Sequence, residues 1–201
     1  SDNLELLWKI AKGESGTAKP RDKADALLQL LRSGVPPRDI FDLIPNDDEE
    51  VIGGSCFMLT HIELPKWITD EDLIPCLKFL SDLPRSSRSV HASGKLEDLV
   101  YSLIFKNLGS KPVLKALASY WWRVNAASHI RLKWRLQKDL ENCLDYQRQA
   151  LIKALVCSVE RPKFFGWLLP VLNNDFQFLV QQYSDADQPD RLLWLEALRS
   201  H

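Results

Sequence analysis

A basic cluster near the middle of the chain has the residue types and spacing that grip phosphate. On a helix turning about 100° per residue, Arg131, Arg135 and Lys138 fall together on one side, with Trp134 beside them. Arg123, Lys133 and Lys153 lie nearby in sequence. Guanidinium groups pair bidentately with phosphate oxygens, and an indole face stacks on a base. Arg123, Arg131, Lys133, Trp134, Arg135 and Lys138 are therefore the candidate nucleic-acid or anion-binding residues. The same residues also suit an ordinary solvated helix face. Arg135 reaches Asp139 at i+4 and Lys138 reaches Glu141 at i+3, and such surface pairs are common and weak.

Seven tryptophans in 201 residues is a high count. Trp121 and Trp122 are adjacent, so on one helix they cannot both enter the same core interface. One of them is expected in a second helix interface or partly exposed. Phe164-Phe165-Gly166-Trp167 raises the same question; Phe164 or Phe165 is expected in the core, with Trp167 left open. Exposed tryptophans anchor protein interfaces, while buried ones fill cores. Trp121, Trp122 and Trp167 are accordingly the candidate protein-binding residues.

Other reactive residues point to structure rather than to chemistry. The acids in Asn46-Asp47-Asp48-Glu49-Glu50 and in Thr69-Asp70-Glu71-Asp72 stand where N-caps and first-turn carboxylates complement a helix dipole. Cys56, Cys76, Cys143 and Cys157 form no C-x-x-C pair and read as reduced core thiols of a cytoplasmic protein. His61 follows Cys56 by five residues, and two isolated donors do not make a zinc site. There is no P-loop, no G-x-S-x-G and no H-E-x-x-H, so no catalytic residue, metal or cofactor is assigned.

The elements that would position these residues are helices. No sustained period-2 alternation and no Asn-Gly or Asp-Gly turn occurs, so strands are not expected. Leu4, Leu7, Trp8 and Ala11 mark a short helix that ends at Gly13-Glu14-Ser15-Gly16. Ala24, Leu27, Leu28 and Leu31 repeat at helical spacing between Pro20 and Gly34, as P-first, G-last helices do. Pro36-Pro37 breaks the chain before a segment at 38–44, and an apolar run covers 51–62. A helix over 70–83 should bury Leu73, Leu77 and Leu80. A polar basic loop is expected over 84–93. Further helices are expected over 95–108, 111–122, 125–144, 146–159, 162–172, 175–183 and 189–199. On the 125–144 helix, Leu132, Leu136, Leu140, Cys143 and Leu144 would form one apolar face. Short connections make neighbouring helices pack against each other.

Length and composition suit one soluble all-α domain over 1–201. The chain starts on Ser1 rather than Met, which predicts a processed chain or a piece of something longer; it shows no signal-peptide pattern. No apolar run approaches the ~20 residues that cross a bilayer, so no membrane partner is expected. The net charge of −1 conceals acidic ends and a basic middle, which bears on partners rather than fold.

Residues 48–62, with Gly54 and Ser55 at paired small positions, look like the second helix of a HEAT-type repeat. Thr69 to Leu80 resembles that family's first helix, and Trp122 to Ile130 carries a third, looser match. The chain thus resembles the HEAT-like (PBS-lyase-type) helical-repeat family over about 45–160. Ile52 replaces the usual Arg, and the 84–93 loop interrupts the period. The resemblance implies an irregular α-solenoid; a compact helical bundle satisfies the same periodicity. It further implies a non-catalytic protein-interaction module, a scaffold or sensor piece of a larger prokaryotic signalling or defence protein. Two other roles found with HEAT-like folds remain open. One is nucleic-acid binding, including that of alkylpurine DNA glycosylases, from whose basic character the pI of about 6.4 departs. The other is a bilin lyase-like chaperone.

Overall fold

The helical periodicity is realised in the computed structural model, which describes residues 2–44, 49–58, 67–82, 96–99, 101–105, 109–126, 138, 140–158 and 175–199, with 49, 56–58 and 124–126 described by backbone. Among the described residues every regular element is helical and no strand forms. In chain order the helices are α1 (Asp2–Ala11), α2 (Pro20–Arg32), α3 (Pro37–Phe41), α4 (Glu49–Met58), α5 (Asp70–Asp82), α6 (Lys111–Ala126), α7 (Asp145–Val156), α8 (Phe176–Asp185) and α9 (Gln188–Arg199). Residues 96–99, 101–105 and 140–142 are also helical. No helix among the described residues is long and apolar enough to cross a membrane. The contacts gather into two compact units, 1–104 and 105–201.

In the first unit α2 packs against both α1 and α4. Ala24, Leu27, Leu28 and Leu31 are buried as their spacing predicts, and Ala26 and Leu30 are buried too, because α2 has neighbours on more than one side. Each such leucine contributes ~1.5–3 kcal/mol by leaving water. Gly54 of α4 faces Ala24, where an added Cβ would meet the Ala24 methyl at 3.5 Å, an ordinary van der Waals contact, so an alanine would fit there. Both α1 and α2 end on a glycine with positive φ, Gly13 at 73° and Gly34 at 92°. At each end a 6→1 bond closes the last turn, Glu14 N–H to the Lys9 carbonyl and Val35 N–H to the Leu30 carbonyl. These are Schellman caps, which need a residue free of the Cβ penalty.

The start of α5 bears out the capping expectation and extends it. The Asp72 carboxylate accepts the Thr69 N–H at 2.8 Å and the Thr69 hydroxyl at 2.8 Å. Its other oxygen accepts the Arg38 backbone N–H at 3.0 Å. One carboxylate, 1% exposed, therefore satisfies orphan donors at the starts of both α5 and α3. The Arg38 guanidinium adds a bond to Glu71 at 3.0 Å. Leu73, Leu77 and Leu80 are buried, with Phe79 stacked on Phe41 of α3 at 5.6 Å.

In the second unit α6 packs on α7, α8 on α9, and α7 touches α9. Two expectations change here. The helix beginning at 111 runs to Ala126 rather than stopping at Trp122, since neither Gly nor Pro interrupts it. Leu144, expected on an apolar helix face, is 60% exposed. It has extended backbone and precedes α7 as its N-cap residue, so it no longer follows the helical face that buries Leu140. Gln147 returns a bond from its side chain to the Leu144 N–H at 3.1 Å.

Candidate binding groove

The pair α6 and α7 is locked by tryptophan. Trp122 donates its indole N–H to the Leu155 carbonyl at 2.9 Å, and Trp121 meets Trp122 edge-on at 4.9 Å. Both are 1% exposed. Of the two placements expected for the second tryptophan, a second helix interface or partial exposure, the burial of both agrees with the first. Tyr120, Trp121 and Trp122 are all buried, which requires the end of α6 to be enclosed on more than one side.

Elsewhere on the same pair a groove of about 460 Å³ opens between α6 and α7, a ligand-sized space on the ~300–1,000 Å³ scale. Its floor is apolar: Leu114 from α6, and Ala150 and Ala154 one turn apart on α7. Its rim is cationic, with Lys111 and Lys115 one turn apart on α6 and Lys153 on α7, all exposed. Cys157 is exposed in the same lining. Among the described residues no salt bridge engages any of the three lysines. Lys153 sits in the last turn of α7, where a cation complements the helix dipole. Lys111 opens α6, whose first turn has no acid; there a cation opposes the dipole. Lys111 and Lys115 at i,i+4 also repel by a few tenths of a kcal/mol. The stability of α6 therefore does not account for them.

One wall of the groove, α7, is tied to α8. Arg148 of α7 donates to Asp175 through Nε at 2.6 Å and through a terminal nitrogen at 3.1 Å, and to Asp145 at 2.7 Å. The Asp175 hydrogen bond, against the opposing effect of burial, holds the Arg148 guanidinium above its already high ordinary pKa, with Asp145 helping. Asp175 is the N-cap residue of α8, so the ion pair fastens α8 to α7.

A second cleft, of about 560 Å³, lies in the first unit beside Pro36, Pro37, Arg38, Trp67 and Asp70. Trp67 is 45% exposed. The Arg38 guanidinium there is already held by Glu71 and lies 3.6 Å from Asp72, and Asp70, Glu71 and Asp72 in the same lining make this cleft acidic.

Of the basic candidates, Arg123 and Lys138 are described and both are exposed. Arg131, Lys133, Trp134 and Arg135 lie outside the described residues, as do Trp167, Phe164 and Phe165. Lys138 forms no ion pair with Glu141 among the described residues, and its carbonyl accepts the Asn142 amide at 2.7 Å. Lys111, Lys115 and the alanines of the groove did not stand out in the sequence. Their signal was faint: two lysines one turn apart at a helix start lacking acids, and a small-residue pair on a later helix. Among the described residues no group of three or more His, Cys, Asp or Glu is placed to hold a metal ion. No protein-family model, curated protein or solved structure matches the chain.

Proposed function

We propose that this chain is a cytoplasmic, non-catalytic interaction module of HEAT-like helical repeats, a scaffold or sensor piece that binds another protein. The observation that supports this reading is the open apolar groove between α6 and α7, whose rim lysines have no partner inside the described fold. Stacked helix pairs present such surfaces to partners. A photocrosslinking amino acid in place of Cys157 tests it, with the same group in place of exposed Gln188 as control. A discrete protein adduct formed from the groove and not from the control is expected. Adducts only to nucleic acid, or none above the control, would refute the reading.

Nucleic-acid binding is the second reading. It is favoured by the charge of the second unit, in which 14 Lys and Arg face 9 Asp and Glu, a balance of +5, with Arg123 and Lys138 exposed. Titration of labelled single-stranded and duplex DNA and RNA at two salt concentrations separates the two. Phosphate binding would weaken steeply with salt.

A further inference from the structure

We infer that the α6–α7 groove takes an acidic amphipathic helix, whose apolar face lies on Leu114, Ala150 and Ala154 and whose carboxylates meet Lys111, Lys115 and Lys153. This deepens the interaction-module reading and rests on it. Three observations on the groove converge. The floor is apolar and set by small side chains on α7, which lets another helix approach closely. Among the described residues the charged groups that line it are all cationic, and no salt bridge neutralises them. Their placement is regular: Lys111 and Lys115 stand one turn apart, ~6 Å along the axis, and Lys153 stands on the facing helix.

That spacing matches carboxylates at i and i+4 on a partner helix, the repeat at which an amphipathic helix presents one edge. A helix seated this way buries its leucines between two cationic rims, the usual helix-in-groove mode. Lys111 gains most. In the free protein it opposes the α6 dipole and repels Lys115; a partner carboxylate relieves both. A bare polyanion would engage the lysines and leave the apolar floor uncovered, so the groove favours the helix.

The test uses the full chain and four fluorescent probes. These are an acidic peptide with a Leu/Ala stripe flanked by Glu at i,i+4, its Lys-for-Glu counterpart, a scrambled acidic peptide of equal charge, and single-stranded DNA. Anisotropy reads affinity, and the alkylation rate of Cys157 reports whether the groove is filled. The acidic amphipathic peptide is expected to bind best and to slow alkylation of Cys157. The triple variant Lys111→Glu/Lys115→Glu/Lys153→Glu should weaken it at least about tenfold and favour the Lys peptide instead. These lysines are exposed, so the variant should fold, which circular dichroism checks.

Equal binding of the scrambled peptide or of DNA would overturn the inference in favour of a plain anion site. Equal binding of acidic and Lys peptides with Cys157 protected would overturn the acidic choice while leaving the interaction module standing. Self-association of the protein alone, abolished by the triple variant, would make the occupant a second copy and overturn it too. Absence of any peptide binding would sink it outright, and the crosslinking result would then decide the module by itself.

Discussion

Cutting the Arg148–Asp175 pair should be more damaging than removing both its members. The Arg148 side chain is 11% exposed and the Asp175 side chain 1%, so either one left alone is a charge stranded out of water. Breaking a buried pair in this way costs about 3–5 kcal/mol. Asp175→Ala should fall at the lower end, because Arg148 keeps Asp145 at 2.7 Å, whose side chain is 82% exposed. Arg148→Met should fall at the upper end, because it abandons the Asp175 carboxylate in the interior. The double variant removes both charges and should lie within about 1–2 kcal/mol of the parent, since such pairs are close to replaceable by apolar groups. The coupling read from the cycle would then be roughly 6–7 kcal/mol in favour of the pair. Urea unfolding followed by circular dichroism and tryptophan fluorescence gives the four stabilities, and in a 201-residue chain each kcal/mol moves the melting temperature by ~2–4 °C. Single variants costing under about 1 kcal/mol, with no coupling between them, would refute the reasoning. The pair would then behave as a surface contact and would not fasten α8 to α7.

Asp72→Asn should destabilise the first unit by about 2–3 kcal/mol in thermal melts, because one amide oxygen cannot serve Arg38 and Thr69 at once and its NH₂ would face a donor. Gly34→Ala should cost about 1–2 kcal/mol from backbone strain alone, since an added Cβ meets nothing within 4 Å; Gly34→Asn should lose less in the same denaturant titration. Trp122→Phe should cost about 1 kcal/mol by losing the indole N–H bond to the Leu155 carbonyl, which still accepts the Ser158 N–H at 3.4 Å, read from urea midpoints.

Helix content and core faces were readable because they are local. The repeats in α2 and α5 name their buried residues directly, and Gly13 and Gly34 mark helix ends through a backbone conformation that few other residues accept. Thr69 and Asp72 announced a cap, yet that the same carboxylate also serves Arg38 depends on how α3 meets α5. For Trp121 and Trp122 the sequence left two placements open, a second helix interface or partial exposure, because periodicity assigns one buried face per helix. Three consecutive buried aromatics require surroundings that only the fold supplies. The groove was hidden for a related reason. Lys111 and Lys115 are far in sequence from Lys153, and a shared cationic rim exists only once α6 and α7 have packed. Trp67, the exposed tryptophan among those described in the first unit, lay outside any helical repeat and so drew no notice.

Asp72 also bears on how long the folded state survives. Its bond to Arg38 joins residues 34 apart, whereas α1 with α2 and α8 with α9 pair as neighbours along the chain. Neighbouring helices find one another quickly, while a contact that needs two helix starts already docked forms after the rate-limiting step. Losing about 2 kcal/mol there should therefore leave refolding unchanged and speed unfolding ~30-fold, which stopped-flow chevrons of Asp72→Asn would resolve. A refolding rate that fell by the same factor would place the contact in the transition state instead. On the expected outcome, a single carboxylate governs the lifetime of the fold and has little say in how fast the fold is made.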